Sequence, residues 1–268
     1  MTNKAWPTLD EGERQVKKDS RQACGRELRA VKVLLGSLLD GFSRLGSVTF
    51  DLEQYGAHCV QSLYSIRSFN SLRSAHELVQ VGYYSQAVML VRSSLEDLLV
   101  CYRCDKDPAL VRRLFEGKEE QFNFSAMARA EGDEFATWWL DKYRDLSVFT
   151  HPRSPGLYIL VPPVEATLRL GPYFDRDTLL AVVHYLLMIL IHFLRLFFPI
   201  LKSRNPSTAE EWAAPTLRRI RKANKLILQI GEELEPEGLL AMKEAMLVPD
   251  TEKITLEEYK RQRARRTK

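Results

Sequence analysis

The chain has 268 residues, of which 45% are hydrophobic and 28% are charged, and its formal net charge is +4. This length and composition are sufficient for a globular core, so the fold needs no disulfide framework, and the net charge is too small to identify a partner. The N-terminal residues contain no apolar run before a small-residue cleavage site. We therefore expect a cytoplasmic protein with reduced thiols and no membrane partner.

The first half of the chain has the apolar periodicity of three long helices. Apolar residues three and four positions apart predict a first helix from about residue 10 to residue 44. A second should run from about 52 to 81 and end at Gly82, and a third from about 83 to 105. Because a tight turn at Gly82 would fold the third helix back on the second, we predict a long antiparallel helical hairpin.

Further along the chain, a helix from about 134 to 150 should stop before His151, because proline follows and disfavours the α region. The segments LYILV and ATLRL, separated by PPVE, are predicted to form a small two-strand β insertion. The apolar stretch Leu179–Leu201 is long enough to cross a bilayer. Because His184, His192 and Arg195 interrupt it, we predict instead a central bundle helix with one polar stripe.

The C-terminal part begins with Ser207 and Glu210, which have the spacing of a capping box and predict a helix to about residue 233. We therefore expect an all-α protein in which residues 1–203 form a helical bundle domain. Residues 204–250 would form appended C-terminal helices, and residues 251–268 a basic, disordered tail.

The third predicted helix carries a polar seam in which Arg92 and Glu96 lie one helical turn apart. One interpretation is a solvent-facing stripe with a surface ion pair. The other is one wall of a polar cleft, which Ser147, His184 and Arg195 from later helices would complete.

The segment YRDLSVFTHPRS places Arg144, Asp145 and His151 near a helix end and suggests phosphodiester cleavage without a cofactor. A histidine that titrates near neutral pH can transfer protons, and a guanidinium can neutralise the growing phosphate charge. Seven residues of one straight helix would separate Arg144 from His151 by about 10 Å. A shared site therefore requires an early helix end or a second subunit, and a simple capped helix end is the alternative.

Folding the hairpin at Gly82 would bring Cys59, Cys101 and Cys104 to one end of the bundle. Thiols of this kind pack readily as small apolar groups, and we predict no metal there, with a zinc site as the weaker alternative.

Basic side chains concentrate near the C-terminus and would attract phosphates. The candidate nucleic-acid-binding residues are Arg218, Arg221, Lys222, Arg263, Arg265 and Arg266. No aromatic residues are interleaved for base stacking, so a solvated basic surface is the alternative interpretation.

The order of these motifs between Leu52 and Leu201 resembles a bacterial family known as domain of unknown function 5677. Arg92, Glu96, Leu146, Ser147 and His151 occupy that family's motif positions. More distantly, the Arg-Asp pair and the following histidine resemble the signature of the HEPN superfamily of helical bundles.

Many HEPN proteins are metal-independent endoribonucleases of toxin–antitoxin, abortive-infection and CRISPR systems, and others have lost activity and only bind. The resemblance implies that Arg144 holds phosphate, Asp145 orients it and His151 acts as acid or base, in a homodimer. The expected partners are RNA, a second copy of the chain, and an antitoxin or another defence-system protein. The alternative is a non-catalytic helical binding or sensing module.

Overall fold

A computed structural model describes residues 8–45, 52–115, 123–130, 132–150 and 172–234. The described residues form eight helices that pack together: α1 Leu9–Leu45, α2 Leu52–Gln80, α3 Tyr84–Cys104, α4 Pro108–Phe115, α5 Phe124–Arg129, α6 Asp133–Thr150, α7 Arg176–Arg204 and α8 Pro206–Leu234. The prediction of an all-α helical bundle is confirmed for this part of the chain. The predicted β insertion, the helix after residue 234 and the basic tail lie outside it.

Helix α7 lies at the centre of the bundle and packs against α1, α2, α3 and α8. Its start is fixed by Asp175, whose side chain accepts a hydrogen bond from the Thr178 amide at 2.8 Å. In the described residues it is the one helix long and apolar enough to cross a membrane, and most of that stretch is buried. A buried core helix has the same composition, so this property is weak evidence for a membrane span.

Helices α2 and α3 are joined at Gly82, which has a φ of +85°. A Cβ atom at this position would lie 2.2 Å from the backbone oxygen of Tyr173, so both the conformation and the space require glycine. The two helices run antiparallel and in contact: Gln61 of α2 donates a 3.0 Å hydrogen bond to the backbone oxygen of Cys101 on α3.

Helix α1 packs on α7 and α8, and its backbone departs from helical geometry at Cys24. The single continuous helix predicted from the apolar period is therefore interrupted by a kink. Near the C-terminal end of α1, a Cβ atom on Gly41 would lie 2.8 Å from the Phe197 ring of α7. Glycine thus permits a close approach of α1 to the central helix.

Helix α8 begins at Pro206, and its N-cap is Asn205, not Ser207 as the capping-box spacing suggested. The Asn205 side chain accepts a hydrogen bond from the Thr208 amide at 3.2 Å. Proline suits the first helical position because its missing N–H needs no partner there. The apolar residues of α8, including Trp212 and Ile220, belong to the same core as those of α1 and α7.

Candidate functional site

Arg144 lies on the exposed surface of α6, and 61% of its side chain is accessible. The opposite face of α6 is buried through Trp139 and Leu146, which fixes the direction in which Arg144 points. Its guanidinium forms a 3.0 Å ion pair with Asp141, one turn earlier on the same helix. A surface pair of this kind contributes about 0–1 kcal/mol, so an incoming phosphate can compete with it.

Asp145 joins α6 to the central helix. The Tyr185 hydroxyl donates a 3.0 Å hydrogen bond to its carboxylate, and Lys142 lies 3.7 Å from the same oxygen. The Lys142 ammonium also lies 5.7 Å from the centre of the Tyr185 ring. These contacts hold α6 against α7. The predicted role of Asp145, which is to orient a phosphate held by Arg144, stays a prediction.

His151, the third predicted catalytic residue, lies outside the described residues. Helix α6 is helical as far as Thr150, the residue immediately before it. The proposed pairing of Arg144 with His151 therefore stays a prediction.

The polar seam of α3 faces α6. Arg92 forms a 3.5 Å ion pair with Glu96 and donates a hydrogen bond to the Tyr143 hydroxyl, and its guanidinium lies over the Tyr143 ring. Burial raises the pKa of Glu96, and the Arg92 charge opposes that effect. Phe124 of α5 stacks on Tyr143 at a centroid distance of 4.2 Å. Arg92, Glu96 and Tyr143, together with Asp145 and Tyr185, are called the α6 polar cluster below.

Ser147 lies one turn after Tyr143 on α6, and its hydroxyl donates a 2.6 Å hydrogen bond to the Tyr143 backbone oxygen. A serine that bonds its own helix in this way is common and needs no catalytic explanation. This hydrogen bond ties the Ser147 hydroxyl to its own helix.

His184 is buried on α7 and was predicted to face the same cleft. Burial lowers its pKa to about 4, and the nearby Lys142 charge adds to that effect. The backbone at Ile227 of α8 acts in the opposite direction and raises the pKa slightly. His184 is therefore neutral at pH 7, and it packs within the core beside the cluster.

Arg195 is exposed, and its charge acts on His192. Burial lowers the pKa of His192 to about 4, and its Nδ1 lies 3.1 Å from the Tyr102 hydroxyl. Tyr102 lies about 15 Å along α3 from Arg92. Arg92, Glu96 and Arg195 were predicted to line one cleft. The structure places Arg92 and Glu96 against α6, whereas Arg195 lies near His192 and Tyr102, further along α3.

The cysteines Cys59, Cys101 and Cys104 are buried free thiols. Burial raises the pKa of each, to about 12 for Cys104, so they stay protonated at neutral pH. Within the described ranges, no group of three or more His, Cys, Asp or Glu side chains is arranged to hold a metal ion. Cys101 and Cys104 pack within the apolar core, and the Cys101 thiol also donates a 3.8 Å hydrogen bond to the Gln61 backbone oxygen.

An ion pair that the sequence patterns did not indicate joins α2 to α3. The Asp97 side chain is fully buried and accepts hydrogen bonds from both Arg67 and the Ser68 hydroxyl. The signal that could have identified it is a charged residue on the apolar face of a helix, since such a residue needs a partner.

The predicted nucleic-acid-binding residues Arg218, Arg221 and Lys222 are all exposed on α8. Arg263, Arg265 and Arg266 lie outside the described residues.

Comparisons with protein-family models, curated proteins and solved structures found no match to this chain, so its function is inferred from its own residues and geometry.

Proposed function

We propose that this protein is a metal-independent endoribonuclease in which Arg144 binds the scissile phosphate and His151 transfers protons. The framework is the bundle built on the α2–α3 hairpin. The main support is the exposed guanidinium of Arg144, held by a weak surface ion pair on the helix that leads directly to His151. A guanidinium in this position can approach a phosphate without losing a buried partner.

The environment of the other histidines also favours His151. The chain has five histidines. Burial lowers the pKa of His76, His184 and His192, which keeps them neutral and away from solvent. The remaining one, His58, lies 3.2 Å from the Ser203 hydroxyl, where α2 meets the C-terminal end of α7. His151 is therefore the best candidate for proton transfer beside Arg144.

The proposed reaction uses the ribose 2′-hydroxyl as nucleophile. A base removes its proton, the oxygen attacks phosphorus, and the bond to the 5′-oxygen breaks as an acid donates a proton to that oxygen, leaving a 2′,3′-cyclic phosphate and a 5′-hydroxyl; His151 would be the base or the acid. Arg144 would neutralise the charge that grows on the phosphate oxygens. Because the helix that carries Arg144 continues to Thr150, about 9 Å further along its axis, we propose that two subunits of a homodimer each supply one of the pair.

The test uses purified wild-type protein and the variants Arg144→Ala and His151→Ala with end-labelled RNA in excess EDTA. We expect the wild type to produce cyclic-phosphate ends, and each variant to lose about 100-fold or more of that activity. His58→Ala serves as the matched histidine control and Arg129→Ala as the matched arginine control, and both should retain activity. Cleavage that EDTA abolishes, or that persists in His151→Ala, would contradict the proposal.

The second candidate function is a non-catalytic binding or sensing module. It is favoured by the α6 polar cluster, in which Arg92 bonds Tyr143 and Asp145 bonds Tyr185. Such contacts hold helices together rather than present reactive groups. This function predicts no RNA cleavage by any variant and a lower melting temperature for Arg92→Ala, because removing one member of a polar network leaves its partners unpaired.

A further inference from the structure

A second surface, remote from Arg144 in the sequence, is formed where α1 packs on α8. The Trp212 indole of α8 donates a 2.9 Å hydrogen bond to the backbone oxygen of Ser37 on α1. The Arg219 guanidinium donates a 2.8 Å hydrogen bond to the Ser37 hydroxyl. Arg44 of α1 reaches Glu211 at 3.5 Å, so the two helices run antiparallel. Residues before Ser37 on α1 therefore lie beside residues after Arg219 on α8.

The cations of this region come from both helices. Residues 28–39 of α1 and residues 212–231 of α8 contain no aspartate or glutamate. The exposed basic side chains in these two stretches are Arg29, Lys32, Arg218, Arg219, Arg221, Lys222 and Lys225. Apart from Arg219, whose contact is with Ser37, no ion pair or hydrogen bond to another described side chain accounts for them. Lys32 lies towards α2, where its charge acts on His76, and we call the other six the α1–α8 basic surface.

Acidic groups lie at both ends of the surface, and three of them have cationic partners. At one end Arg44 pairs with Asp40 and Glu211. At the other end Arg176 of α7 pairs with Glu233. Among the described side chains the central cations thus have no acidic partner, which creates a positive potential on this part of the bundle.

The dimensions suit a short stretch of nucleic-acid backbone. Arg218 and Lys225 are about 10 Å apart along α8, and packed helix axes lie about 8–10 Å from each other. Two rows of flexible cations at this spacing can contact several successive phosphates. We propose that the α1–α8 basic surface binds the phosphate backbone of RNA, with Arg29 of α1 acting together with Arg218 and Lys222 of α8. The choice of RNA as the polyanion rests on the proposed function.

The apolar residues of the surface favour RNA over an anionic membrane. The large exposed apolar side chains within the two stretches are Val33, Leu39 and Leu217. Val33 and Leu39 are six residues apart and so do not form one row on α1. A helix that lies in a bilayer interface inserts a continuous apolar face, usually with Trp, Phe or Leu. Here the cations outnumber the apolar groups, as expected for a phosphate-binding surface.

The test measures fluorescence anisotropy of a labelled single-stranded RNA with the full chain over a range of salt concentrations, in EDTA. The triple variant Arg29→Gln, Arg218→Gln, Lys222→Gln is compared with a charge-matched control, Arg73→Gln, Arg112→Gln, Arg129→Gln, whose positions are exposed on α2, α4 and α5. We expect the triple variant to bind about tenfold or more weakly, and its slope of log K against log salt to be shallower by about 2. The control variant should match the wild type.

Any other result of the binding assay overturns the inference. The inference is contradicted if the wild type does not bind RNA, or if both variants weaken RNA binding equally. It is also contradicted if the protein binds phosphatidylserine vesicles and not RNA. Circular dichroism and melting of both variants exclude misfolding as the cause of a loss. RNA cleavage is measured on the same samples. If the wild type cleaves RNA and the triple variant binds RNA as tightly as the wild type, only this inference is contradicted. If the triple variant alone weakens RNA binding and no sample cleaves RNA, only the proposed nuclease activity is contradicted.

Discussion

The ion pair between Arg67 and Asp97 shows how unequal the two members of one contact can be. The Asp97 side chain is fully buried, whereas 59% of the Arg67 side chain is exposed. Water can solvate the arginine when its partner is lost, but it cannot easily reach the carboxylate. The free energy of unfolding should therefore depend more on the arginine than its exposure suggests.

We expect Arg67→Ala to lower the free energy of unfolding by about 2–4 kcal/mol, because it leaves a buried carboxylate with the Ser68 hydroxyl as donor. In a double-mutant cycle with Asp97→Ala, the two changes should couple by about 1–3 kcal/mol. Urea denaturation measures both quantities. The matched control is Arg73→Ala on the same helix, expected within about 0.5 kcal/mol of wild type. Additive effects of the two changes would show that the contact contributes nothing.

The residues of the candidate site were only partly predictable. The turn at Gly82 is equidistant from Arg67 and Asp97, fifteen residues to either side, so folding the sequence at that glycine pairs them. Arg92 and Glu96 were identifiable because they share one helix and follow its period. Tyr143 and Tyr185 were not, because each acts through its hydroxyl across two helices whose relative rotation no local pattern encodes.

At the scale of the elements, glycines with different backbone conformations should respond oppositely to the same substitution. Gly82→Ala forces a side chain into a positive φ and against Tyr173, and we expect a loss of about 2 kcal/mol or more. Gly36→Ala lies on an exposed part of α1 with nothing within 4 Å of its Cβ, and should stabilise by about 0.5–1 kcal/mol. Melting temperatures of the two variants test this. A neutral Gly82→Ala would mean that the α2–α3 turn readjusts.

The long helices were predictable because each repeats its apolar period over many turns. The third was expected from about 83 to 105 and runs from Tyr84 to Cys104. The kink at Cys24 was not predictable from the sequence, because the apolar stripe continues through it and only the backbone conformation changes. The start of α8 was misassigned because Ser207 and Glu210 have the right spacing, yet Asn205 before a proline makes a competing and better cap.

At the scale of the whole molecule, the central helix α7 links acid titration to folding. It packs against α1, α2, α3 and α8 and also contacts α6, and it carries His184 and His192, whose pKa values burial lowers to about 4. The unfolded chain protonates these imidazoles near pH 6.5, while the folded chain keeps them neutral. Each histidine should therefore lower the free energy of unfolding as the pH falls from about 6.5 to about 4, and should cause no further decrease below about pH 4.

We predict that the free energy of unfolding decreases in this window by about 1.4 kcal/mol per pH unit for each of the two histidines, in addition to contributions from carboxylates. The variant His184→Asn, His192→Asn should lose that part of the slope. Met188→Leu on the same helix alters packing without a titratable group, so it should shift the whole curve in parallel. Urea denaturation at pH values from 4 to 7 separates the two behaviours. An unchanged slope in the double histidine variant would mean that these imidazoles become protonated inside the fold, and that α7 is less tightly enclosed than its contacts imply.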